Sequence, residues 1–407
     1  MPPTRSTRPL RRQPAPRTNA LTMEGAYEVA ARVRALDTPA RPIANLSIGE
    51  PSFATPGHIV EAGIRALRDG ATRYAPVAGI DPLRAAIQDA LRARGIAAAA
   101  MGNVIVTPGA KPALFYALHA LVGDGDEVLI PDPGFPAYRA IVEFAGGVAV
   151  SYDSGVRSGI AASAGDLASR ITPRTRVLVI NSPGNPTGAL AGERELAAIA
   201  QLAERHDLTI LSDECYGQLL HDDRASAPSI AAVPGLAERT VVVDSFSKTY
   251  AMTGWRLGFA LAPSHLVGAI TRLAVNAHSC TPAFVQHAGV AALTGSQGPL
   301  LRMRRELTGR GDLLAAALDQ LPGLRCARPG GAFYLFPDVS RAAARQGLRT
   351  VEFADWLLTE AGVATVAGTA FGPAGDGYLR FSFAAPTDQI ALAIERLTAL
   401  LGVAVQQ

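Results

Sequence analysis

The chain has 407 residues, enough for two to three domains or for one large domain with an appendage. With 48% apolar and 18% charged residues it is not a disordered chain, and no apolar run approaches the roughly 18 residues that a membrane-spanning helix requires. The three scattered cysteines, Cys215, Cys280 and Cys326, suit neither a disulfide framework nor a four-ligand zinc site, so we expect no metal and a cytoplasmic location.

The net charge of +3 arises from the N-terminal segment, which carries five arginines and no acid within the first 22 residues. Without those arginines the net charge becomes −2, so the rest of the chain lacks the basic surface that nucleic-acid binding requires. Five prolines also prevent a regular amphipathic helix in this segment. We therefore predict that residues 1–22 form a disordered basic arm, and that the protein binds neither nucleic acid nor a membrane.

Beyond the arm, helical patterns alternate with short apolar strands. We expect helices at 24–36, 57–67, 82–92, 112–121 and 193–205, and strands at 43–48, 104–106, 127–130, 177–180, 208–211, 241–243 and 258–261. Unbroken apolar strands between helices predict an α/β fold with a mostly parallel central sheet that is covered on both faces. Ligands of such sheets bind beyond the carboxyl ends of the strands.

The pattern changes after residue 281. A long helical zone covers 282–321, and it is followed by short strands at 324–326, 333–336, 364–366 and 378–382, with helices near 351–360 and 388–401. This mixture is typical of a smaller α+β domain.

Lysine is almost absent from the chain. Of 38 basic residues, only Lys111 and Lys248 are lysines. Arginine serves equally well for surface charge, but its guanidinium stays protonated, whereas a desolvated lysine amine can attack a carbonyl carbon. Both lysines are therefore candidates for a chemical role.

Polar loops follow several of the predicted strands. Gly109, Ala110 and Lys111 open a helix, and the free amides of such a helix start can bind an anion such as phosphate; the alternative is an ordinary strand-to-helix turn. Asn185 precedes a proline, which favours an extended backbone with a projecting amide, although the segment could also be a simple turn. Asp213 follows the strand at 208–211, where a carboxylate is either structural or paired with a cation or donor.

Two further segments carry isolated cations. Ser245, Ser247 and Arg256 surround Lys248, and their hydroxyls and guanidinium could hold a phosphate dianion. Arg380 stands alone in the apolar strand at 378–382, where its charge requires an acceptor, either a substrate carboxylate or an internal acid.

Together and in this order, these segments resemble the class I aminotransferases, the pyridoxal 5′-phosphate enzymes of the aspartate aminotransferase fold, fold type I. The resemblance covers about 24–401 and implies a large cofactor-binding domain over 58–285 and a small domain made of 23–57 and 286–407. The motifs that carry it are Gly49-Glu50-Pro51, Tyr74-Ala75-Pro76 with Gly79, Gly109-Ala110-Lys111, Asn185-Pro186-Thr187-Gly188, Ser212-Asp213-Glu214 with Tyr216, Ser245-Phe246-Ser247-Lys248, Gly254-Trp255-Arg256 and Arg380.

The resemblance assigns the catalytic roles to three residues. Lys248 would bind the cofactor covalently and later carry the proton between the substrate Cα and the cofactor. Asp213 would keep the pyridine nitrogen protonated, so that the ring withdraws electrons. Tyr216, together with Asn185, would donate hydrogen bonds to the phenolic oxygen of the ring, and Phe135 would stack on the ring.

The binding roles follow from the same resemblance. Arg380, with Asn185 and the Gly49 backbone, would hold the α-carboxylate of the substrate. The cofactor phosphate would be held by residues from both subunits of a homodimer, namely Ala110, Lys111, Ser245, Ser247 and Arg256 of one subunit and Tyr74 of the other.

The implied reaction moves the amino group of an L-amino acid to a 2-oxo acid. An aspartate- or glutamate-like donor is favoured, because Lys111 can meet a side-chain carboxylate and because 276–286 contains no arginine for that task. Phe135 and Pro112 depart from the aspartate-specific pattern, which leaves aromatic, alanine or specialised donors open. The same cofactor and fold also permit the alternative of a lyase, a decarboxylase or a racemase.

Overall fold

The computed structural model describes residues 15–21, 25–156, 159 and 161–402. The strands are β1 (Ala44–Asn45), β2 (Val104–Thr107), β3 (Glu127–Asp132), β4 (Val148–Asp153), β5 (Thr175–Asn181), β6 (Thr209–Asp213), β7 (Thr240–Ser245), β8 (Gly258–Leu261), β9 (Tyr334–Leu335), β10 (Val363–Ala364), β11 (Val366–Ala367) and β12 (Leu379–Ser382). Within these residues, every helix is too short or too polar to cross a membrane.

The α-helices are interspersed with short 3-10 segments and one π-helical turn, Leu357–Ala361. In chain order they are α1 (Gly25–Leu36), α2 (Gly57–Arg68), α3 (Asp81–Ala93), α4 (Ala110–Leu121), α5 (Ala137–Phe144), α6 (Ala164–Arg170), α7 (Glu193–Arg205), α8 (Phe246–Thr249), α9 (Ser264–His278), α10 (Ala283–Thr294), α11 (Gly298–Asp319), α12 (Ser340–Arg345), α13 (Thr350–Trp356) and α14 (Thr387–Leu401).

Seven strands form the central sheet, in the order β2-β8-β7-β6-β5-β3-β4. All of them run parallel except β8, which is antiparallel to both of its neighbours. Asn181 at the end of β5 pairs with Asp213 on β6, and Asp213 pairs with Val243 on β7. The sheet confirms the predicted α/β fold, and its register brings the carboxyl ends of these strands to one edge.

Both faces of the sheet are buried, as the unbroken apolar strands predict. Successive side chains alternate between the faces. Val177 and Val179 pack in a cluster with residues of α4, α5 and α9, whereas Leu178 and Ile180 pack in a cluster with residues of α7. Near β2 and β8, helices α3 and α10 contribute to a further cluster on that second face.

A smaller α+β part has its own cluster. It joins Ala44 and Leu46 to buried residues of α11, α13, α14, β9 and β12. Its strands form a three-stranded antiparallel sheet, β11-β12-β9, and a parallel pair, β1-β10. The proposed domain boundaries, 58–285 against 23–57 with 286–407, stay a prediction.

The elements differ from the sequence-based expectation in a few places. The expected strand at 324–326 is absent, because Arg325 makes only an isolated bridge to Asp338 and no ladder continues from it. The strand at 43–48 is limited to the two residues that pair with β10. The edge strand β4 is not among the expected strands. Most of its side chains are half-exposed, so its sequence does not show the continuous apolar pattern of a buried strand.

Most of the predicted basic arm lies outside the described residues. In its described part, residues 15–21, Pro16–Ala20 form a short 3-10 helix with no buried residue, and the disorder of the arm stays a prediction. The guanidinium of Arg17 lies 5.7 Å from the centre of the Phe144 ring, and this contact ties the segment to α5.

Leu83 on α3 is fully buried between helix and sheet, whereas Leu313 on α11 is 46% exposed. Leu83→Ala should lower the free energy of unfolding by about 2–5 kcal/mol, because it leaves a cavity. Leu313→Ala should change it by less than about 1 kcal/mol. Denaturant titration followed by circular dichroism measures both, and equal losses would contradict the described core.

Candidate active site

A cavity of about 750 Å³ opens at the carboxyl ends of the parallel strands. It brings together twelve of the thirteen site residues predicted from the sequence. These are Gly49, Ala110, Lys111, Phe135, Asn185, Asp213, Tyr216, Ser245, Ser247, Lys248, Arg256 and Arg380. The thirteenth, Tyr74, is not among the lining residues and is 91% exposed on the single chain.

Lys248 lies on α8, the short helix that follows β7. Its Nζ donates a hydrogen bond of 2.6 Å to the Gly49 carbonyl oxygen. Burial lowers the pKa of Lys248 to about 8. A sizeable fraction of its amine is therefore neutral near pH 7 to 8, and a neutral amine is the nucleophilic form.

Asp213 ends β6 and is buried at the base of the cavity. Its carboxylate accepts hydrogen bonds from the Tyr138 hydroxyl, at 2.6 Å, and from the Cys215 amide, at 3.2 Å. Burial raises the pKa of Asp213, while these donors act in the opposite direction. A carboxylate in this position favours a cation or an N–H group opposite it.

The start of α4 is closely approached by Arg256. Gly109 precedes the helix with φ of +95°, and a Cβ at this position would lie 2.3 Å from the Arg256 guanidinium. A Cβ on Gly258 would lie 2.6 Å from the Gly109 carbonyl carbon. The lack of a Cβ at both glycines therefore lets Arg256 and the backbone of Gly258 approach the start of α4 closely. Ala110 and Lys111, the first residues of this 12-residue helix, line the same cavity as Ser245 and Arg256, and the free amides of a helix start can bind an anion.

Arg380 is 3% exposed on β12. Its guanidinium donates to Asn185 Oδ1 at 3.0 Å and to the Ser47 carbonyl at 2.6 Å, while its Nε has no hydrogen-bond partner in the described part of the chain. The rings of Tyr334 and Phe371 cover it at 4.5 and 4.8 Å. Among the described residues no carboxylate forms an ion pair with this buried cation.

Two tyrosines stand beside this cation. The hydroxyls of Tyr216 and Tyr334 lie 2.9 Å apart, and burial raises the pKa of Tyr216 well above its usual value. A Cβ on Gly49 would lie 2.2 Å from the Tyr334 hydroxyl, so a larger residue here would displace the Tyr334 ring.

Lys111 lines the cavity, and its ammonium lies near two aromatic rings. Its Nζ lies 5.3 Å from the centre of the Phe135 ring and 5.9 Å from that of Tyr27 on α1. The edge of the Phe135 ring in turn packs on Tyr138, with ring centres 5.6 Å apart. A cation held in this way can receive an acidic group that enters the cavity.

Sequence reasoning missed several residues of the site. Asn181 ends an apolar strand, as Asp213 does, and its side chain joins the Asp213 carbonyl to the Asn185 amide at 3.1 and 2.9 Å. This shared position at the end of an apolar strand could have identified Asn181 from the sequence. No comparable indication in the sequence points to Tyr138 and Tyr334, since an aromatic residue in an apolar segment is expected to belong to the hydrophobic core. In the described ranges, no cluster of three or more histidine, cysteine or acidic residues could hold a metal.

Comparison with known proteins identifies the family. Residues 41–397 match the model of the aminotransferases of class I and II. An aspartate aminotransferase of Pyrococcus abyssi is 39% identical over 88% of this chain and 92% of its own length. The aromatic-amino-acid aminotransferase 2 of Thermococcus litoralis gives the same three values.

Solved structures agree with this assignment. The aspartate aminotransferase of Thermus thermophilus with maleate has a TM-score of 0.89 and 36% identity, and the match covers 96% of this chain and 100% of that one. The chain therefore belongs to the class I and II aminotransferases and has their fold type I architecture.

The protein is an aminotransferase, an enzyme that moves an amino group from an amino acid to a 2-oxo acid. The similar proteins named above are aminotransferases, so the lyase, decarboxylase and racemase alternatives are not favoured. Members of the family depend on pyridoxal phosphate.

The lowered pKa of Lys248 can be measured directly, because the chain has only two lysines. Reductive ¹³C-methylation of the cofactor-free protein should give two lysine signals in NMR spectra. The signal that disappears in Lys248→Met should titrate with a midpoint near 8, since burial disfavours its charge. A midpoint at the ordinary value of 10.5 would show that the amine is solvated.

Proposed function

We propose that this aminotransferase binds pyridoxal phosphate covalently at Lys248 and uses aspartate or glutamate as its amino donor. The observation that carries the proposal is the buried guanidinium of Arg380, which has no ion-pair partner among the described residues and lines the same cavity as the Lys248 amine. An amino acid brings both a carboxylate for Arg380 and an amino group to be transferred at Lys248.

The residues of the cavity fit the cofactor. The close approach of Gly109 and Gly258 leaves helix amides, Ser245 and Arg256 around a space suited to a phosphate. Asp213 supplies a buried carboxylate, and a protonated ring nitrogen would satisfy it. Phe135 lines the cavity and offers an aromatic face to a pyridine ring.

When bound, pyridoxal phosphate supplies a ring that withdraws the negative charge developing at the substrate Cα. The side chains of the protein would perform the remaining steps. The Lys248 amine would take the proton from Cα, a task for which a pKa of about 8 is well matched to neutral pH. Asp213, held by the Tyr138 hydroxyl, would retain a proton on the ring nitrogen, and Tyr216 with Asn185 would donate to the phenolic oxygen.

A dicarboxylic donor is supported by Lys111. This ammonium lines the cavity and could meet the second carboxylate while Arg380 holds the first. The similar protein from Pyrococcus abyssi is named for aspartate, and the Thermus thermophilus structure contains maleate, a dicarboxylate.

An aromatic donor is the second candidate. Tyr27 and Phe135 place two rings beside Lys111, and an aromatic side chain could pack between or against them. The Thermococcus litoralis protein is named for aromatic amino acids.

We also propose a homodimer with active sites at the subunit interface. Tyr74 is a largely exposed aromatic residue that belongs to a family motif but does not line the cavity of its own chain. A second copy that buries Tyr74 would bring its hydroxyl to the phosphate site of the neighbour. A cytoplasmic location is supported by three free cysteines, since thiols persist in a reducing compartment.

Lys248→Ala should reduce transamination by at least about a thousandfold, because it removes both the covalent anchor and the proton carrier. Lys111→Gln is the matched control, as it removes the other lysine. Borohydride reduction followed by mass spectrometry should find the cofactor attached to the control and to the wild type but not to Lys248→Ala. Catalysis or attachment that survives in Lys248→Ala would refute the assignment.

Lys111→Gln should raise the KM for aspartate about tenfold, the usual loss for one hydrogen bond to a charged group. The KM for alanine, which lacks the second carboxylate, should stay within about twofold. Steady-state kinetics with aspartate, alanine and phenylalanine measure this. Equal effects on aspartate and alanine would refute the role of Lys111, and a wild-type preference for phenylalanine would favour the aromatic candidate.

A further inference from the structure

Behind the cavity, a single arginine joins two buried acids. Arg94 directly follows α3, and its guanidinium lies 2.5 Å from Glu214 Oε2 and 3.0 Å from Asp244 Oδ2. The three side chains are 8%, 4% and 8% exposed. Arg94 therefore holds two carboxylates at once, through separate nitrogens of one rigid fork.

Each acid is the chain neighbour of a residue that faces the cofactor site. Glu214 follows Asp213 at the end of β6, and Asp244 precedes Ser245 at the end of β7. Asp213 and Ser245 line the cavity, whereas Glu214 and Asp244 are not among its lining residues and pair with Arg94 instead. The fork thus links the ends of β6 and β7 on the side opposite the substrate.

The acids have further partners that fix their positions. Glu214 Oε1 accepts hydrogen bonds from the hydroxyls of Ser212, at 2.9 Å, and Ser229, at 2.6 Å. The Glu214 amide donates to the Val243 carbonyl at 2.8 Å, which connects β6 to β7. With these partners in place, a displacement of Arg94 would pass to the ends of both strands.

The charges of Arg94, Glu214 and Asp244 also influence the electrostatics of the cavity. One guanidinium faces two carboxylates, and burial raises the pKa of Asp244 to about 7. The charge of Glu214 contributes to the raised pKa of Asp213. A negative charge behind Asp213 favours a positive charge in front of it, which is where the proposed cofactor would present its protonated ring nitrogen.

We propose that Arg94 is a positioning residue for amino transfer, which fixes Asp213 and Ser245 by joining Glu214 to Asp244. The inference rests on the proposed function, since it concerns how these two residues receive pyridoxal phosphate. Arg94 itself touches neither cofactor nor substrate.

Arg94→Lys tests the proposal, because one ammonium nitrogen replaces the two guanidinium nitrogens and cannot hold both acids at the fixed spacing of the fork. Arg84→Lys is the matched control. Arg84 lies on α3, the helix that Arg94 follows, and is held by the carbonyls of Val104 and Met101, but it contacts neither acid. The purified apoproteins are titrated with pyridoxal phosphate by absorbance, melted without cofactor, and assayed with aspartate after loading.

We expect Arg94→Lys to bind pyridoxal phosphate about tenfold more weakly than the wild type, with a kcat at least about tenfold lower. Its KM for aspartate should stay within about threefold, because the carboxylate grip of Arg380 is untouched. The pH midpoint of the visible absorbance of the bound cofactor should also move. Arg84→Lys should keep wild-type affinity, kcat and midpoint, even where its melting temperature falls as far as that of Arg94→Lys.

Glu214→Gln serves as a second variant in case Arg94→Lys does not fold. It keeps the shape of the side chain and the pairing of Arg94 with Asp244, and it should weaken cofactor binding by about threefold. Wild-type affinity and an unmoved midpoint in either folded variant would overturn the positioning role. A wild-type protein that binds no pyridoxal phosphate would instead overturn the proposed function.

Discussion

The site depends on one electrostatic constraint, the burial of the Arg380 guanidinium without an ion-pair partner among the described residues. An uncompensated buried charge is costly, and the fold tolerates it through the oxygens of Asn185 and Ser47 and through the rings of Tyr334 and Phe371. These contacts leave the Nε of Arg380 unsatisfied. The folded protein therefore holds a buried cation that an anion can satisfy, and in the proposed function this anion is the substrate carboxylate.

The remaining chemistry is arranged around this cation by the parallel sheet. Strands β5, β6 and β7 end side by side, so Asn181, Asp213 and Ser245 meet at one edge although they are far apart in the sequence. The Lys248 amine is kept partly neutral by burial and held by the Gly49 carbonyl. Burial therefore acts in two ways here: it strengthens the attraction of Arg380 for an anion, and it keeps part of the Lys248 amine in the neutral form that the proposed function requires.

Much of this arrangement could be predicted from the sequence. Apolar strands that end in polar loops indicated the parallel sheet and its active edge, and the rarity of lysine drew attention to Lys111 and Lys248. The contacts that cross between elements could not be predicted in the same way. Tyr138 on α5 reaches Asp213, and Arg94 reaches Glu214 and Asp244 from just beyond the end of α3, yet neither residue follows a local pattern. Their roles depend on tertiary packing rather than on periodicity.

The most direct test of the account is an absorbance titration of the protein loaded with pyridoxal phosphate. L-Aspartate is compared with β-alanine, which keeps the amino group and the side-chain carboxylate but lacks the α-carboxylate. The account predicts that aspartate converts the cofactor to its aminated form and that β-alanine at the same concentration does not, because only aspartate satisfies Arg380. Equal conversion by both compounds would contradict the account.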